Sequence, residues 1–378
     1  VTLSIWLLIP TVPLLVNLYQ WRRDRKRVSS LIAARTPVPR DLTSTERVSF
    51  LVAAWNEEST IEACIQAILH LNHPDFEVIL HAGGTDRTWE IASRIPDPRL
   101  VVLLQRQGEG KQASLQKCFE RASGEIIYLL DAGCLITNDA FARILQPIIL
   151  GKEQAITSSP CVPFPAQMGS PFVANQCAAR VYTSISQPEY CPGLAGANSA
   201  IRRAALEQAG GFHPGIRTGG DYDLGQRLLG HGVRIRYDVE ASFPIRFHMR
   251  VRPYLRQQAR WLRNVVSHGM RFGAYREVAS CLATSLVGFA MLSLPLIALV
   301  LSYPLVSPTA MIIGGCWAML FLYACFSRFR YLKVASLWLD TPLMPSAVAM
   351  IPACLTIDFL AWSIPLVQYP SKKLRERW

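Results

Sequence analysis

From Val48 to Asp131 the chain alternates short apolar runs with segments of helical periodicity, and this alternation constrains its fold more than any other feature. Val48–Ala54, Glu77–His81, Leu100–Leu104 and the run from Glu125 to Asp131 have the length of strands buried on both faces. Between the first two, residues 59–70 carry Ile61, Cys64, Ile65, Ile68 and Leu69 on one helical face, and helices are expected near 88–95 and 111–122. Crossovers of that length join parallel strands, so the pattern predicts an α/β domain with a mostly parallel sheet and helices on both faces. Such sheets bind ligands at the carboxyl ends of their strands. Asp131 stands at one of those ends, followed by Ala132 and Gly133, and two readings stand for it: contact with a charged substrate or its metal, or a turn acid capping a helix. No Gly-x-Gly-x-x-Gly opens the first helix and there is no P-loop, which disfavours dinucleotide and P-loop sites.

Beyond Gly151 the pattern is less regular, with a strand at 155–158, a Pro-rich loop, a helix near 173–186, a helix from about Asp221 to Leu229 and a strand at 233–237. Hydrophobic residues make up 51% of the chain and charged residues only 17%, too apolar for a wholly soluble enzyme. Membrane segments are therefore expected. Residues 1–19 are apolar and the basic run Trp21-Arg22-Arg23-Asp24-Arg25-Lys26-Arg27 follows them. A cleaved signal peptide has the opposite order, so this reads as a retained membrane helix with a cytoplasmic C-terminal end. Residues 281–300 and 311–326 read as a membrane hairpin, returned to the cytoplasm by Ser327-Arg328-Phe329-Arg330. Residues 254–270, basic and aromatic, read as an interfacial helix. Residues 347–367 are apolar but interrupted by Pro352, Asp358 and Pro365, and a full span and a re-entrant hairpin both remain open. The expected plan is a membrane helix over 1–20, a basic cytoplasmic linker over 21–46, a catalytic domain over 47–250, an interfacial helix over 251–275, membrane or re-entrant helices over 276–369 and a basic tail over 370–378.

The net charge of +12 has three possible homes: cytoplasmic flanks of membrane helices, an anionic lipid surface, or a phosphate-bearing substrate. Nucleic acid is not an expected partner, because the Lys and Arg residues cluster beside apolar spans and no zinc-finger or nucleic-acid-binding signature is present. The ten cysteines include no Cys-x-x-Cys pair, so neither a zinc site nor a disulfide framework is indicated.

Six segments carry the chemistry. Trp55-Asn56-Glu57-Glu58 closes the first strand, where an aromatic side chain can stack on a nucleobase. His81-Ala82-Gly83-Gly84-Thr85-Asp86 closes the second. Gly108-Glu109-Gly110-Lys111 is a Gly-rich turn entering a helix, suited to a diphosphate through backbone N–H groups and one point charge. Asp131-Ala132-Gly133, Thr218-Gly219-Gly220-Asp221-Tyr222-Asp223 and Gln257-Gln258-Ala259-Arg260-Trp261 follow. Each has a purely structural reading: a capping turn, a solvated lysine, acids complementing a helix dipole, a membrane-surface helix with an aromatic anchor. Their order over about Val48 to Asn264 resembles the membrane-embedded branch of the family 2 glycosyltransferases, which contains ceramide glucosyltransferase, bacterial lipid glycosyltransferases and polysaccharide synthases.

That resemblance implies a GT-A-like, Rossmann-type nucleotide-sugar-binding domain and inverting transfer from a nucleotide sugar, a UDP-sugar by expectation. It implies substrate contacts at Trp55, Glu57, His81, Asp86, Lys111, Gln257, Arg260 and Trp261, with Lys111 and Arg260 on the diphosphate and Trp261 on the acceptor. It implies Mg2+ or Mn2+ on Asp131, and Asp221 as the catalytic base, since inversion needs a carboxylate to take the acceptor hydroxyl's proton. Asp223 is expected to be structural. The sequence departs from the family pattern in three motifs: His81 and Ala82 replace a pair of acids, Gly133 replaces the second acid of Asp-x-Asp, and Gly220 replaces a Glu. The expected acceptor is a membrane lipid, because three or four apolar spans look few for a polymer channel. The expected setting is a multi-pass protein of the plasma or inner membrane with a cytoplasmic active site. A processive polysaccharide synthase with a glycan acceptor, and a degenerate non-catalytic homologue, are the competing readings.

Overall fold

The structure is a computed structural model that describes residues 2–38, 46–303 and 307–368. Helix α1 (Thr2–Ala33) leads into strand β1 (Val48–Trp55), the centre of an α/β unit. It is followed by α2 (Ile61–Leu69), β2 (Phe76–Gly83), α3 (Thr88–Ser93), β3 (Leu100–Leu104), α4 (Gly110–Arg121) and β4 (Ile126–Asp131). β1 lies parallel to β2 on one side and to β4 on the other, with Val52 opposite Leu80 and Leu130. Then come α5 (Asn138–Ile149), β5 (Ala155–Thr157), β6 (Val162–Pro163), α6 (Pro171–Ile185), β7 (Asn198–Arg202), α7 (Arg203–Gln208), α8 (Gly220–Gly230), β8 (Ile235–Tyr237) and β9 (Pro244–Ile245). The main sheet runs β3-β2-β1-β4-β7-β5-β8, and β6 pairs with β9 in a separate two-stranded ladder. The expected α/β architecture is present.

Two layers of apolar packing flank the sheet. On one face Phe50, Val52, Tyr128 and Leu130 meet Ile61, Cys64, Ile65 and Ile68 of α2 together with Phe141, Ile144 and Leu145 of α5. On the other, Leu51, Ile127 and Leu129 meet Leu115 and Cys118 of α4 and Leu224 and Leu228 of α8. Burying each such side chain fully stabilises the fold by about 1.5–3 kcal/mol, which is why these helices lie down on the sheet.

β7 departs from the repeat, running antiparallel to both β4 and β5. Its sequence, Asn198-Ser199-Ala200-Ile201-Arg202, is too polar to announce a central strand. The structure satisfies those polar groups internally: Tyr128 Oη donates to Asn198 Oδ1 at 2.5 Å, and the Thr157 and Ser199 hydroxyls share a hydrogen bond of 2.6 Å. α5 and α7 are likewise additions to the elements expected from sequence. α5 begins at Thr137, whose side chain accepts from the Ala140 N–H.

The second unit is helical and assembled from three separated stretches: the N-terminal segment to Arg35, Ala166–Tyr182, and the chain from Phe247 onward. Its later helices are α9 (Val251–Arg271), α10 (Tyr275–Leu301), α11 (Pro308–Leu339), α12 (Pro345–Ala349) and α13 (Ile351–Gln368). Among the described residues, α10, α11 and α13 are each long and apolar enough to cross a membrane. The stretch whose topology the sequence leaves open is thus a continuous helix over Ile351–Gln368, with Pro365 inside it. The expected N-terminal span lies partly on residues whose side chains are outside the described set, and α1 continues without a break through the basic run. The expected tail over 370–378 lies outside the described residues, as does part of the expected linker.

α1 runs along α11, where Asp24 pairs with Arg330 and the Lys333 ammonium sits 4.4 Å from the Trp21 ring centroid. α10 and α13 approach so closely at Gly288 that a Cβ there would fall 2.7 Å from the Phe359 carbonyl oxygen. A buried polar cluster joins four helices of this unit: Tyr254 Oη donates to Asp358 Oδ1 at 2.5 Å, and Arg328 pairs with Asp358 and donates to the Asn175 carbonyl.

Candidate active site

The carboxyl ends of β1, β2 and β4 gather most of the residues singled out from the sequence. Lys111, in the first turn of α4, extends to the end of β4 and donates to Asp131 Oδ1 at 2.5 Å. Asp221, in the first turn of α8, lies close by: a Cβ added at Gly196 would be 3.2 Å from Asp221 Cβ and 3.5 Å from Lys111 Nζ. A side chain at 196 would therefore intrude between the lysine and this carboxylate. Desolvation acts to lower the Lys111 pKa, but the charges of Asp131 and Asp221 outweigh it and hold the ammonium above the usual lysine range. Lys111 and Asp131 remain 42% and 40% exposed, so their ion pair contributes at most about 1 kcal/mol and exchanges readily for another partner.

Glu57 forms a second ion pair a few residues beyond β1. Arg246 donates to its Oε2 at 2.8 Å and to Ser59 Oγ at 2.6 Å, while the Thr60 hydroxyl donates to the same Glu57 oxygen at 3.0 Å. Burial pushes the Glu57 carboxyl above the usual carboxylate range, with Arg246 pulling the other way. Arg246 is anchored by the ladder around Gly133: its N–H donates to the Gly133 carbonyl at 3.1 Å, and its Cβ would be the nearest atom, at 3.9 Å, to a side chain at 133. The position where the family pattern has a second acid is thus open space facing an arginine.

Asp86 ties the two loops together. One oxygen accepts from the Thr88 N–H at 3.0 Å and hydroxyl at 2.6 Å, the other from the Glu58 N–H at 3.1 Å. Asn56 works from the opposite side. It holds a left-handed φ of 58° and its Oδ1 accepts from the Thr85 N–H at 2.7 Å, lying where a side chain on Gly84 (φ 141°) would be. Trp55, half-buried, ends β1 opposite Gly83. His81 is only 1% exposed, with Nε2 3.6 Å from Glu109, so it faces the interior rather than the cleft. Asp223 is fully buried against Arg227 at 2.8 Å, in keeping with a structural part. Gln257, Arg260 and Trp261 belong to α9 in the helical unit. Gln257 is half-buried, Arg260 and Trp261 are exposed, and the Arg180 guanidinium sits 5.8 Å from the Trp261 ring centroid.

Three contributors escape sequence reasoning. Arg246 lies in a segment with no motif, and backbone pairing of its segment with Gly133–Leu135 brings it to the cleft. Asn56 was visible within Trp-Asn-Glu, but its loop-bridging bond was not. Gln112 explains Gly220: a Cβ at 220 would fall 2.0 Å from the Gln112 side chain, itself 5% exposed, so the missing acid at 220 is displaced by packing.

A family model described as "Glycosyltransferase like family 2" matches residues 46–264, more than half of the chain. The chain belongs to glycosyltransferase family 2. Among curated relatives, poly-beta-1,6-N-acetyl-D-glucosamine synthase of Staphylococcus epidermidis is 33% identical over 120 residues, covering 30% of this chain and 29% of that protein. The synthase of the same name from Staphylococcus aureus (strain COL) is 30% identical over 97 residues, covering 25% and 24%. The chain's match thus spans under a third of the length of these relatives. Among solved structures, the mannosyltransferase PcManGT from Pyrobaculum calidifontis, in complex with GDP-Man and Mn2+, superposes with a TM-score of 0.58 at 20% identity, covering 88% of this chain and 97% of that one. That likeness bears on the fold, which is GT-A.

The Mn2+ of that neighbour invites a comparison of ligands in this family 2 chain. A hard divalent ion wants several oxygen ligands, carboxylates foremost. Here Asp131 stands without a second acid at 133 and carries the Lys111 ammonium, while Glu57 carries Arg246. Among the described residues no three His, Cys, Asp or Glu side chains are grouped so as to hold a metal ion. The donor set at this cleft does not fit a protein-held divalent cation.

Proposed function

We propose that this chain is an inverting glycosyltransferase that moves a sugar from a nucleotide sugar, a UDP-sugar in our reading, to a membrane lipid at the cytoplasmic face of a multi-pass membrane protein. The observation that carries the proposal is the convergence of Lys111, Asp131 and Asp221 at the sheet's carboxyl edge. In this reading Trp55 and the Asn56–Asp86 loops receive the nucleoside, and Lys111 meets the diphosphate. Asp221, exposed at the N-terminus of α8, accepts the proton of the acceptor hydroxyl. The hydroxyl oxygen then bonds to the anomeric carbon as the bond from that carbon to the phosphate oxygen breaks. The electron pair leaves with the nucleoside diphosphate. Charge building on that leaving group is met by preorganised cations, the usual main source of stabilisation in such a step.

The lipid acceptor is supported by three helices able to cross a membrane and by α9, whose basic face and exposed Trp261 suit the bilayer surface. Arg260 and Trp261 are assigned to the leaving group and the acceptor, with Gln257 beside them. The expected Mg2+ or Mn2+ on Asp131 has no part in this reading, because the Lys111 ammonium already occupies that carboxylate. A second reading, a processive synthase with a glycan acceptor, is favoured by the names of the curated relatives.

Membranes containing the protein, incubated with labelled UDP-sugars, separate the two. A single lipid-extractable product supports lipid transfer, and a polymer ladder supports the synthase and sinks the lipid acceptor. Asp221→Asn is expected to cut transfer by about a hundredfold to ten-thousandfold while leaving UDP binding in place. Unchanged transfer in that variant would remove Asp221 from the mechanism.

A further inference from the structure

We propose that Lys111 and Arg246 take the place of a divalent cation, so that this chain binds its nucleoside diphosphate without Mg2+ or Mn2+. The inference rests on the nucleotide-sugar reading above and concerns the same cleft. Three carboxylates, Asp131, Glu57 and Asp221, face it, and the first two are already matched by cations built into the fold: Lys111 at 2.5 Å and Arg246 at 2.8 Å, while Asp221 is kept for the acceptor's proton. A metal entering here would have to expel the ammonium from Asp131 and would find arginine beside the position of the missing second acid. Both steps set like charges together.

A diphosphate meets the opposite situation. The side chains of Lys111 and Arg246 are 42% and 40% exposed, so each can swing from its carboxylate to a phosphate oxygen at small cost. Arg246 brings a planar donor fork suited to two oxygens at once, and Lys111 a compact point charge. The resting pairs hold the cations in place before the donor arrives, which lowers the ordering cost of binding. Gly133 is then more than a lost ligand. Its carbonyl accepts from the Arg246 main-chain N–H at 3.1 Å and so holds the arginine at this position.

The test is calorimetric titration of the full chain in detergent with UDP, and in parallel with GDP, once with EDTA and once with Mn2+. Expected is a Kd that agrees within about twofold between the two conditions. Arg246→Ala and Lys111→Met are each expected to weaken binding by about tenfold or more in EDTA, and Arg246→Lys to recover part of the loss. The wild-type comparison decides the matter even if a variant fails to fold. Binding that disappears in EDTA and returns with Mn2+ would overturn the inference while leaving the glycosyltransferase reading intact. Failure of both nucleotides to bind in either condition would overturn the nucleotide-sugar reading itself.

Discussion

His81 shows how one side chain can change its meaning between sequence and fold. At a strand end, in place of an acid, it has two readings from sequence: a donor to a phosphate, or a side chain that merely fills space. In the structure the strand carries it into the interior, where burial lowers its pKa below the ordinary histidine value, Glu109 opposing and Lys117 assisting. The consequence for stability has a definite sign. The unfolded chain takes up a proton near the ordinary value of 6.5, whereas the folded chain resists it, so stability is complete above that pH and falls as pH drops below it. Thermal unfolding in detergent between about pH 7 and about pH 5 should show a falling midpoint, with a smaller fall in His81→Gln. An equal fall in both would place the acid sensitivity elsewhere. That Asp131 ends a strand and that Lys111 and Asp221 begin helices was legible from sequence, because strand ends and helix starts are local features. The place of Arg246 was not, since nothing within its own segment reports its pairing with Gly133–Leu135, far upstream in the chain.

Among elements, α4 and α8 illustrate how packing edits a motif. Gln112 of α4 fills the volume that a side chain at 220 would need, so the chain gives up the acid before Asp221 in exchange for close contact at the start of α8. The left-handed Gly219, with φ 75°, then starts the helix directly at that contact. Restoring the acid with Gly220→Glu should destabilise the protein by about 1–3 kcal/mol through overpacking, and Gln112→Ala in the same chain should recover most of it. Unfolding midpoints of the two singles and the double form the cycle, and additive losses would contradict the packing account. The parallel half of the sheet was readable because buried strands and amphipathic helices leave periodic traces. β7 was hidden, because a central strand that satisfies its polar groups through Tyr128 and Thr157 carries no apolar signature.

For the molecule as a whole, the polar cluster of Tyr254, Arg328 and Asp358 is the most exposed to test. Arg328 and Asp358 side chains are 7% and 4% exposed, so removing one leaves the other a buried charge without its counter-charge. Arg328→Met should cost about 3–5 kcal/mol in detergent, and Arg328→Met with Asp358→Leu should restore much of that loss. A double variant no better than the single would show that the cluster acts as more than an ion pair. The three helices long and apolar enough to cross a membrane were legible from their length and apolar character. Their membership in one unit with a segment far upstream was not, since nothing in Ala166–Tyr182 names its partners. That membership bears on how the protein is made. Asn175 bonds to the Ala347 carbonyl at 2.9 Å and receives Arg328 on its own, so the start of α6 meets its neighbours only after a further stretch of translation has been completed. Until then this segment lacks those partners, and ribosome pausing between the two regions should lengthen the interval in which the nascent chain depends on chaperones or the insertion machinery.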